Sequence, residues 1–454
     1  MSTLSTTLPD TQEAPSHEPL GRPAGMLVRL WSMFVARPDL RNGTLSLFDQ
    51  AVVSGTGFLT GVIIGRLCTK EELGIYYLAL SIFYLARGIQ EQLICAPYVI
   101  YCQGRREDAQ ALYTGSSLLH FLGLSGVLVV ALFGFLGILA LGLGPASLAP
   151  AIWVLLGALP FLQLREFLRR LAIAHLQLTT AVVIDVAVSL LQLGGLLTLA
   201  YFHQLTVPRA YGVMGIACAI AGLGWFISKS QPLQLKWSTA VADWWGNWGF
   251  ARWALASHII GFATPSLMPY LVAAVHGSAE AGVLGACVNI VGTASTFMIG
   301  LASFLIPRAA QAFAQGGVPE LRKVLRTATM VYACVLGAFA IIVLLSGDFL
   351  LVLAFGSKYS GYGSTIGVLS LGMMAQSLGL TAGIGLWAID RPRANLSADI
   401  CTLVVTLGVA LCLLPGMGVL GAALGDLAGK VVGALIRELT LRRLLKTFPQ
   451  AAEG

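Results

Sequence analysis

The sequence predicts an all-α polytopic membrane protein: about twelve transmembrane helices in two six-helix bundles, related by a parallel pseudo-two-fold repeat. Three observations predict it. The chain has about twelve apolar runs long enough for a ~30 Å hydrocarbon core, which takes ~20 helical residues. Its basic residues alternate from one connecting segment to the next. Short motifs recur in the same order in both halves. Hydrophobic residues make up 57% of the 454 and charged residues 11%, against roughly 25% charge in a soluble domain.

The predicted spans are 45–65, 74–100, 113–140, 150–172, 179–202, 211–228, 250–275, 281–305, 324–345, 362–388, 396–415 and 418–438. Of the 28 Lys and Arg, 22 fall in alternate segments, from Arg22, Arg29, Arg37 and Arg41 at one end to Arg437, Arg442, Arg443 and Lys446 at the other. Only Arg66, Lys70, Arg209 and Lys358 lie in the opposite set, and Arg87 and Lys430 fall inside spans. The positive-inside rule then puts both termini in the cytoplasm. The net charge of +7 is accounted for by topology and anionic lipid, so nucleic acid is not an expected partner.

Five regions follow. Residues 1–44 read as a cytoplasmic tail, with 25–37 a short amphipathic interfacial helix. Residues 45–228 form the N-terminal six-helix bundle and 229–249 a cytoplasmic linker. Residues 250–440 form the C-terminal bundle and 441–454 a second tail. The linker carries Trp237, Trp244, Trp245 and Trp248, residues that favour the headgroup level. Residues 1–20 lack the apolar stretch of a signal peptide.

The repeat is read from paired motifs. Glu72-Leu73-Gly74-Ile75 matches Glu280-Ala281-Gly282-Val283, 208 residues on. Pro97 and Pro307 each precede a basic segment. Ala174 to Asp185 and Ala388 to Asp399 have the same spacing, and Gly212-Val213-Met214-Gly215 matches Gly418-Val419-Leu420-Gly421. Six helices per half give both copies one orientation in the membrane, a build that places substrate between the halves.

Charges inside spans are costly and each needs a reason. Arg87 lies ~20 Å along its helix at 1.5 Å per residue, with Glu91 four residues on. Asp49 and Gln50 sit at a comparable depth. Two readings stand: a cavity site with Arg87 as the binding cation and Asp49, Gln50 and Glu91 as a coupling-ion network, or an ion pair that locks the first two helices. Lys430 with Asp426 one turn earlier carries the same alternatives. Arg165 and Arg169, in Leu164-Arg165-Glu166-Phe167-Leu168-Arg169-Arg170, read either as an ordinary basic flank or as a mouth that recruits phosphate headgroups through bidentate guanidinium contacts. Asp185 and Asp399 read as repeat partners with a structural role, capping or pairing with Arg169, Arg170, Arg391 or Arg393, or else a part in transport. His258 reads as a hydrogen-bonded polar residue or a proton relay, and Asn289 as interhelical glue or a cavity-facing side chain.

No G-x-S-x-G, P-loop or H-E-x-x-H is present, so the chain is read as a non-enzyme without catalytic residues, metal or organic cofactor. The eight cysteines contain no C-x-x-C and read as core residues.

Phe48-Asp49-Gln50-Ala51-Val52-Val53-Ser54-Gly55-Thr56-Gly57-Phe58-Leu59-Thr60-Gly61 resembles the first helix of polysaccharide and O-antigen (lipid-linked oligosaccharide) flippases. Arg66-Leu67, Lys70-Glu71-Glu72-Leu73-Gly74-Ile75-Tyr76 and the run ending at Arg170 are similar to the same family. It belongs to the multidrug/oligosaccharidyl-lipid/polysaccharide (MOP) superfamily, and the resemblance implies a fold like that of multidrug and toxin extrusion (MATE) transporters. It further implies translocation of undecaprenyl-pyrophosphate-linked oligosaccharide across the bacterial inner membrane by alternating access, with H⁺ or Na⁺ coupling. Membrane lipids and other polysaccharide-assembly proteins are the partners it implies. The alternatives are a MATE cation antiporter and a membrane polysaccharide polymerase or ligase.

Overall fold

The computed structural model describes residues 38–102, 105–228 and 234–447. The tail 1–37, with its predicted interfacial helix, lies outside the described residues, as does 448–454. Among the described residues, 46–447 belong to one compact unit and 38–45 to another. No strand occurs among the described residues. The helices are α1 Pro38–Leu67, α2 Lys70–Gln90, α3 Ala96–Cys102, α4 Glu107–Ala140, α5 Ala149–Ala174, α6 Leu178–Tyr201, α7 Val207–Ser228, α8 Trp237–His276, α9 Ser278–Phe355, α10 Gly363–Ala388, α11 Pro392–Met417 and α12 Val419–Thr447. Among the described residues, eleven helical segments, α2 and α3 counting as one, are long and apolar enough to cross a membrane.

The predicted twelfth span is inside α9. Its 78 residues would run ~117 Å at 1.5 Å per residue, far more than one crossing needs. The helix breaks at Gly317, where φ is +61°, a conformation that glycine adopts without strain. Pro319 two residues on withholds a backbone N–H. The two arms hold predicted spans 281–305 and 324–345, and Arg308, Arg322, Lys323 and Arg326 flank the break.

Two boundaries differ from the sequence reading. The segment read as a linker turns helical at Trp237, so its four tryptophans lie on α8. That helix docks on α4. Tyr113 donates to Asn247 Oδ1 at 3.0 Å, His120 Nε2 meets the Ala240 carbonyl at 2.8 Å, and Arg105 pairs with Asp243 at 3.6 Å. Trp244 packs on His120 and on Trp248. Positions 240, 244, 247, 248 and 251 recur at helical spacing and supply the packed face. At the other end, α12 continues past 440 to Thr447.

Pro97 acts through its neighbour. Between α2 and α3 lies a π-helical turn, Glu91–Cys95, in which the Ala96 N–H donates to the Glu91 carbonyl five residues back. The extra residue per turn accommodates the N–H that Pro97 lacks, and such turns are frequent at functional sites.

The repeat partners Gly74 and Gly282 meet each other. A Cβ on Gly74 would strike the Ser278 carbonyl and lie 3.0 Å from Gly282 N; one on Gly282 would strike the Lys70 carbonyl and lie 2.9 Å from Gly74 N. Each glycine thus faces the carbonyl four residues before its partner. Small residues allow this close crossing of α2 and α9. The crossing stands at the end of the bundle that carries Arg66, Lys70 and Lys358, the predicted outer end. There Arg66 donates to the carbonyls of Leu353 and, at 2.8 Å, of Ala354, while Lys358 donates to the Cys68 carbonyl. Each cation caps the end of the other half's helix. Lys70 adds cation–π contacts to Tyr359 and Tyr362, at 5.7 and 5.3 Å from the ring centroids.

Candidate functional site

Eight charged side chains from α1, α2, the π turn, α5 and α6 form one cluster. Helix α5 organises it. Arg165 and Arg169 are one turn apart, as are Glu166 and Arg170, so α5 presents two stripes to different neighbours. The first stripe meets α6 and α1. Arg165 grips Asp185 Oδ1 through Nε at 2.9 Å and Nη2 at 2.5 Å. Arg169 reaches Asp185 Oδ2 at 2.7 Å and Asp49 Oδ2 at 2.5 Å. The second stripe meets α2 and the π turn. Arg87 pairs with Glu166 at 3.1 Å and Arg170 with Glu91 at 3.0 Å. Arg165 also touches Glu166 at 3.4 Å.

The sequence-predicted residues therefore come together through α5. Asp49 meets Arg169 and not Arg87, and Glu91 meets Arg170. Gln50 stands outside the cluster and donates to Ser54 on its own helix at 3.2 Å. Arg165 and Arg169 lie within the bundle on buried carboxylates, not at an exposed mouth, because Asp185 and Asp49 neutralise them there. Asp185 pairs with Arg165 and Arg169, so of the two partners predicted in this half Arg169 holds and Arg170 does not.

Exposure is uneven. The side chains of Asp49, Glu166 and Asp185 are 7%, 6% and 0% exposed. Those of Arg87, Arg170 and Glu91 are 33%, 34% and 28% exposed. The charges cancel, four against four, yet the reachable edge holds two guanidiniums and one carboxylate. Glu166 and Arg170 are functional candidates that the sequence does not single out, Arg170 being named there only as a partner for Asp185. The signal was present: Arg87 and Glu91 are one turn apart, Glu166 and Arg170 are one turn apart, and the order of charge is reversed. Gln90 and Gln163 knit the same two helices. Gln90 Nε2 donates to the Gln163 carbonyl at 3.0 Å and Gln163 Nε2 to the Ala86 carbonyl at 3.4 Å.

In the second half, Lys430 and Asp426 pair at 2.8 Å on α12. Gly372 on α10 makes room for them, since a Cβ there would lie 3.1 Å from Asp426 Oδ2. Asp399 occupies the eighth position of α11, as Asp185 does of α6. Its partner is Arg437 on α12, not Arg391 or Arg393, which are exposed. His258 Nε2 faces the Gly88 backbone, and Asn289 donates to the Phe58 carbonyl at 3.1 Å. Among the described residues, no group of His, Cys, Asp or Glu is placed to hold a metal ion.

The Lys430–Asp426 pair gives a first expected result. Lys430→Met alone leaves a half-buried carboxylate unpaired and lowers stability. The Lys430→Met/Asp426→Leu double variant recovers most of the loss, because replacing a whole buried pair is often neutral. Thermal melts of the detergent-solubilised variants check this; equal losses in single and double variants would contradict it.

No family model matches the sequence, and no curated protein is similar to it in sequence. Solved structures do match. An inward-facing multidrug resistance MATE family transporter of the MOP superfamily superposes with a TM-score of 0.74 at 14% identity, covering 87% of this chain and 94% of that one. An outward-facing MATE family transporter gives 0.62 at 14% identity, covering 90% and 95%. The lipid II flippase MurJ, in an inward closed conformation, gives 0.73 at 12% identity, covering 89% and 87%. The chain has the helical fold that these MATE transporters and MurJ share.

Proposed function

We propose that this protein is a flippase. It carries an undecaprenyl-pyrophosphate-linked oligosaccharide from the inner to the outer leaflet of a bacterial cytoplasmic membrane by alternating access, with both termini cytoplasmic. The observation that carries the reading is the sign of the cluster's reachable edge. Arg87 and Arg170 are each a third exposed, while three of the four carboxylates behind them are buried. Arg87, in the middle of a span, faces a hydrated cavity or a partner, not lipid, and the forks of both guanidiniums fit phosphate oxygens. A pyrophosphate competing for Arg87 and Arg170 would release Glu166 and Glu91. Those carboxylates could then take up H⁺ or Na⁺, which couples substrate binding to an ion. Lys430 is the corresponding candidate cation of the second half.

Closure at the Arg66 end, together with the higher TM-score against the inward-facing MATE form than the outward one, supports an inward-facing state that loads from the cytoplasmic leaflet. The second reading, a MATE cation antiporter, draws on a fold likeness of equal strength. Against it, the intramembrane carboxylates Asp49, Glu91, Glu166, Asp185, Asp399 and Asp426 each pair with a cation, leaving no lone acid among them for a drug cation. The polymerase reading lacks room: described connections at the predicted outer end run to a few residues, such as Gly277 between α8 and α9.

The test is transport of a fluorescent lipid-pyrophosphate-linked oligosaccharide in proteoliposomes, with and without a proton or Na⁺ gradient. Wild type translocates the headgroup. Arg87→Ala and Arg170→Ala each slow it by about tenfold or more, equivalent to roughly 1.4 kcal/mol. Gradient-driven export of an organic cation, with no headgroup movement, would overturn the proposal in favour of the antiporter.

A further inference from the structure

A recess with a mixed polar and apolar lining lies in the other half. It has a volume of about 200 Å³ and sits between α9, α10, α11 and α12. Met298, Leu380 and Gly383 line part of it, and Gln376, Trp387, Asn395, Asp399 and Arg437 supply its chemistry. We infer that this recess binds one saccharide ring, of neutral, hydroxyl-rich type. The inference rests on the flippase reading only in taking that ring as part of the carried headgroup.

Four features carry it. First, Asn395 lines the recess, and its Nδ2 donates to the Gly383 carbonyl at 3.0 Å, which fixes the orientation of a polar amide there. Second, Arg437 pairs with Asp399, whose side chain remains 33% exposed. The lining is thus rich in both donors and acceptors yet carries no net charge. A cation would be opposed by Arg437 and an anion by Asp399, whereas a hydroxyl both donates and accepts. Third, Trp387 is 49% exposed at the edge of the recess. It offers a flat apolar wall for the C–H face of a ring, with a polar tip beside it. Fourth, the volume is below the ~300–1,000 Å³ of sites for drug-sized ligands, which suits one ring and not a chain of them. Asp399 is the repeat counterpart of Asp185. The two halves would therefore read different parts of one headgroup, phosphate at the arginine edge and sugar here.

The experiment uses the full chain in nanodiscs and saturation-transfer NMR with four free sugars: glucose, galactose, N-acetylglucosamine and rhamnose. At least one shows saturated ring protons. Trp387→Ala and Gln376→Leu, both at exposed side chains that the fold does not need, each weaken that binding by about tenfold. Absence of transfer to all four sugars overturns the inference, as does unchanged binding in both variants. A parallel arm measures binding of sugar-free undecaprenyl pyrophosphate. Its binding to wild type and loss in Arg170→Ala, with no sugar signal, overturns the saccharide site and leaves the flippase reading standing. Sugar binding without any pyrophosphate binding supports the saccharide site and overturns the flippase reading.

Discussion

Asp185→Ala is expected to destabilise the protein more than any other single change in the charge cluster. Asp185 is fully buried and holds two guanidiniums at once, Arg165 through Oδ1 and Arg169 through Oδ2. Taking it away leaves Arg165 with the longer contact to Glu166 and Arg169 with Asp49 alone. Removing one partner of a buried ion pair costs about 3–5 kcal/mol, because the remaining charge stays desolvated and cannot shed its proton. The expected readout is a large fall in the thermal midpoint of the solubilised protein and a low yield of folded material. Asp185→Asn keeps the shape and one hydrogen-bond acceptor and recovers part of the loss. Arg170→Ala, at the exposed edge, changes the midpoint little while it impairs transport. That separation is the content of the prediction: buried members hold the helices, edge members meet the substrate. A midpoint for Asp185→Ala within a degree of wild type would sink it.

The fold was legible because membrane spans announce themselves. Length, hydropathy and alternating basic residues depend on the bilayer alone and survive without knowledge of tertiary contacts. Even α9 reads as two spans, since the apolar runs stop on either side of Gly317. The helical start of the linker is not legible in the sequence, for a physical reason. Its tryptophans read as interfacial residues, and the partner that makes them one face of a helix, α4, is over a hundred residues away. The charge cluster was half legible. Asp49, Arg87, Glu91, Arg165 and Arg169 were singled out as charges that must have a reason. What the sequence could not give was the pairing. Arg87 and Glu91 look like each other's partner at one-turn spacing, but α5 runs alongside with the opposite order of signs and takes both. The same holds for Asp399, whose partner lies on α12 and not in the basic segment next to it. Short-range spacing names the charged residues, and helix neighbours decide what they do.

Gly282→Val is the corresponding test of conformation. The crossing of α2 and α9 has no room for a side chain: a Cβ on Gly282 meets the Lys70 carbonyl and sits 2.9 Å from Gly74 N. These are backbone atoms of a helix start held by a capping box, in which Thr69 Oγ1 accepts from Glu72 N at 3.2 Å and Glu72 accepts in return from Thr69 N at 3.4 Å. They cannot move aside cheaply. Overpacking of this kind costs about 1–3 kcal/mol. If the cost falls on the closed arrangement alone, the balance moves toward a state open at the Arg66 end by roughly 5–150-fold. Cys68 reports on that end. It is 6% exposed, and Lys358 of the other half rests on its carbonyl. Burial and, after it, the Glu72 carboxylate push its thiol up to about 12, so at neutral pH it is protonated and a poor nucleophile. Opening removes both the cover and much of the desolvation. Maleimide labelling of Cys68, resolved from the other cysteines by peptide mass spectrometry, is therefore expected to rise at least tenfold in Gly282→Val. Gly292→Val on the same helix, where nothing lies within 4 Å of the added Cβ, should label as wild type does. The symmetric substitution Gly74→Val should behave as Gly282→Val, since each glycine meets the other's helix in the same way. Labelling that stays at the wild-type rate in both crossing variants, with the fold intact, would mean that the two glycines pack the helices without gating them.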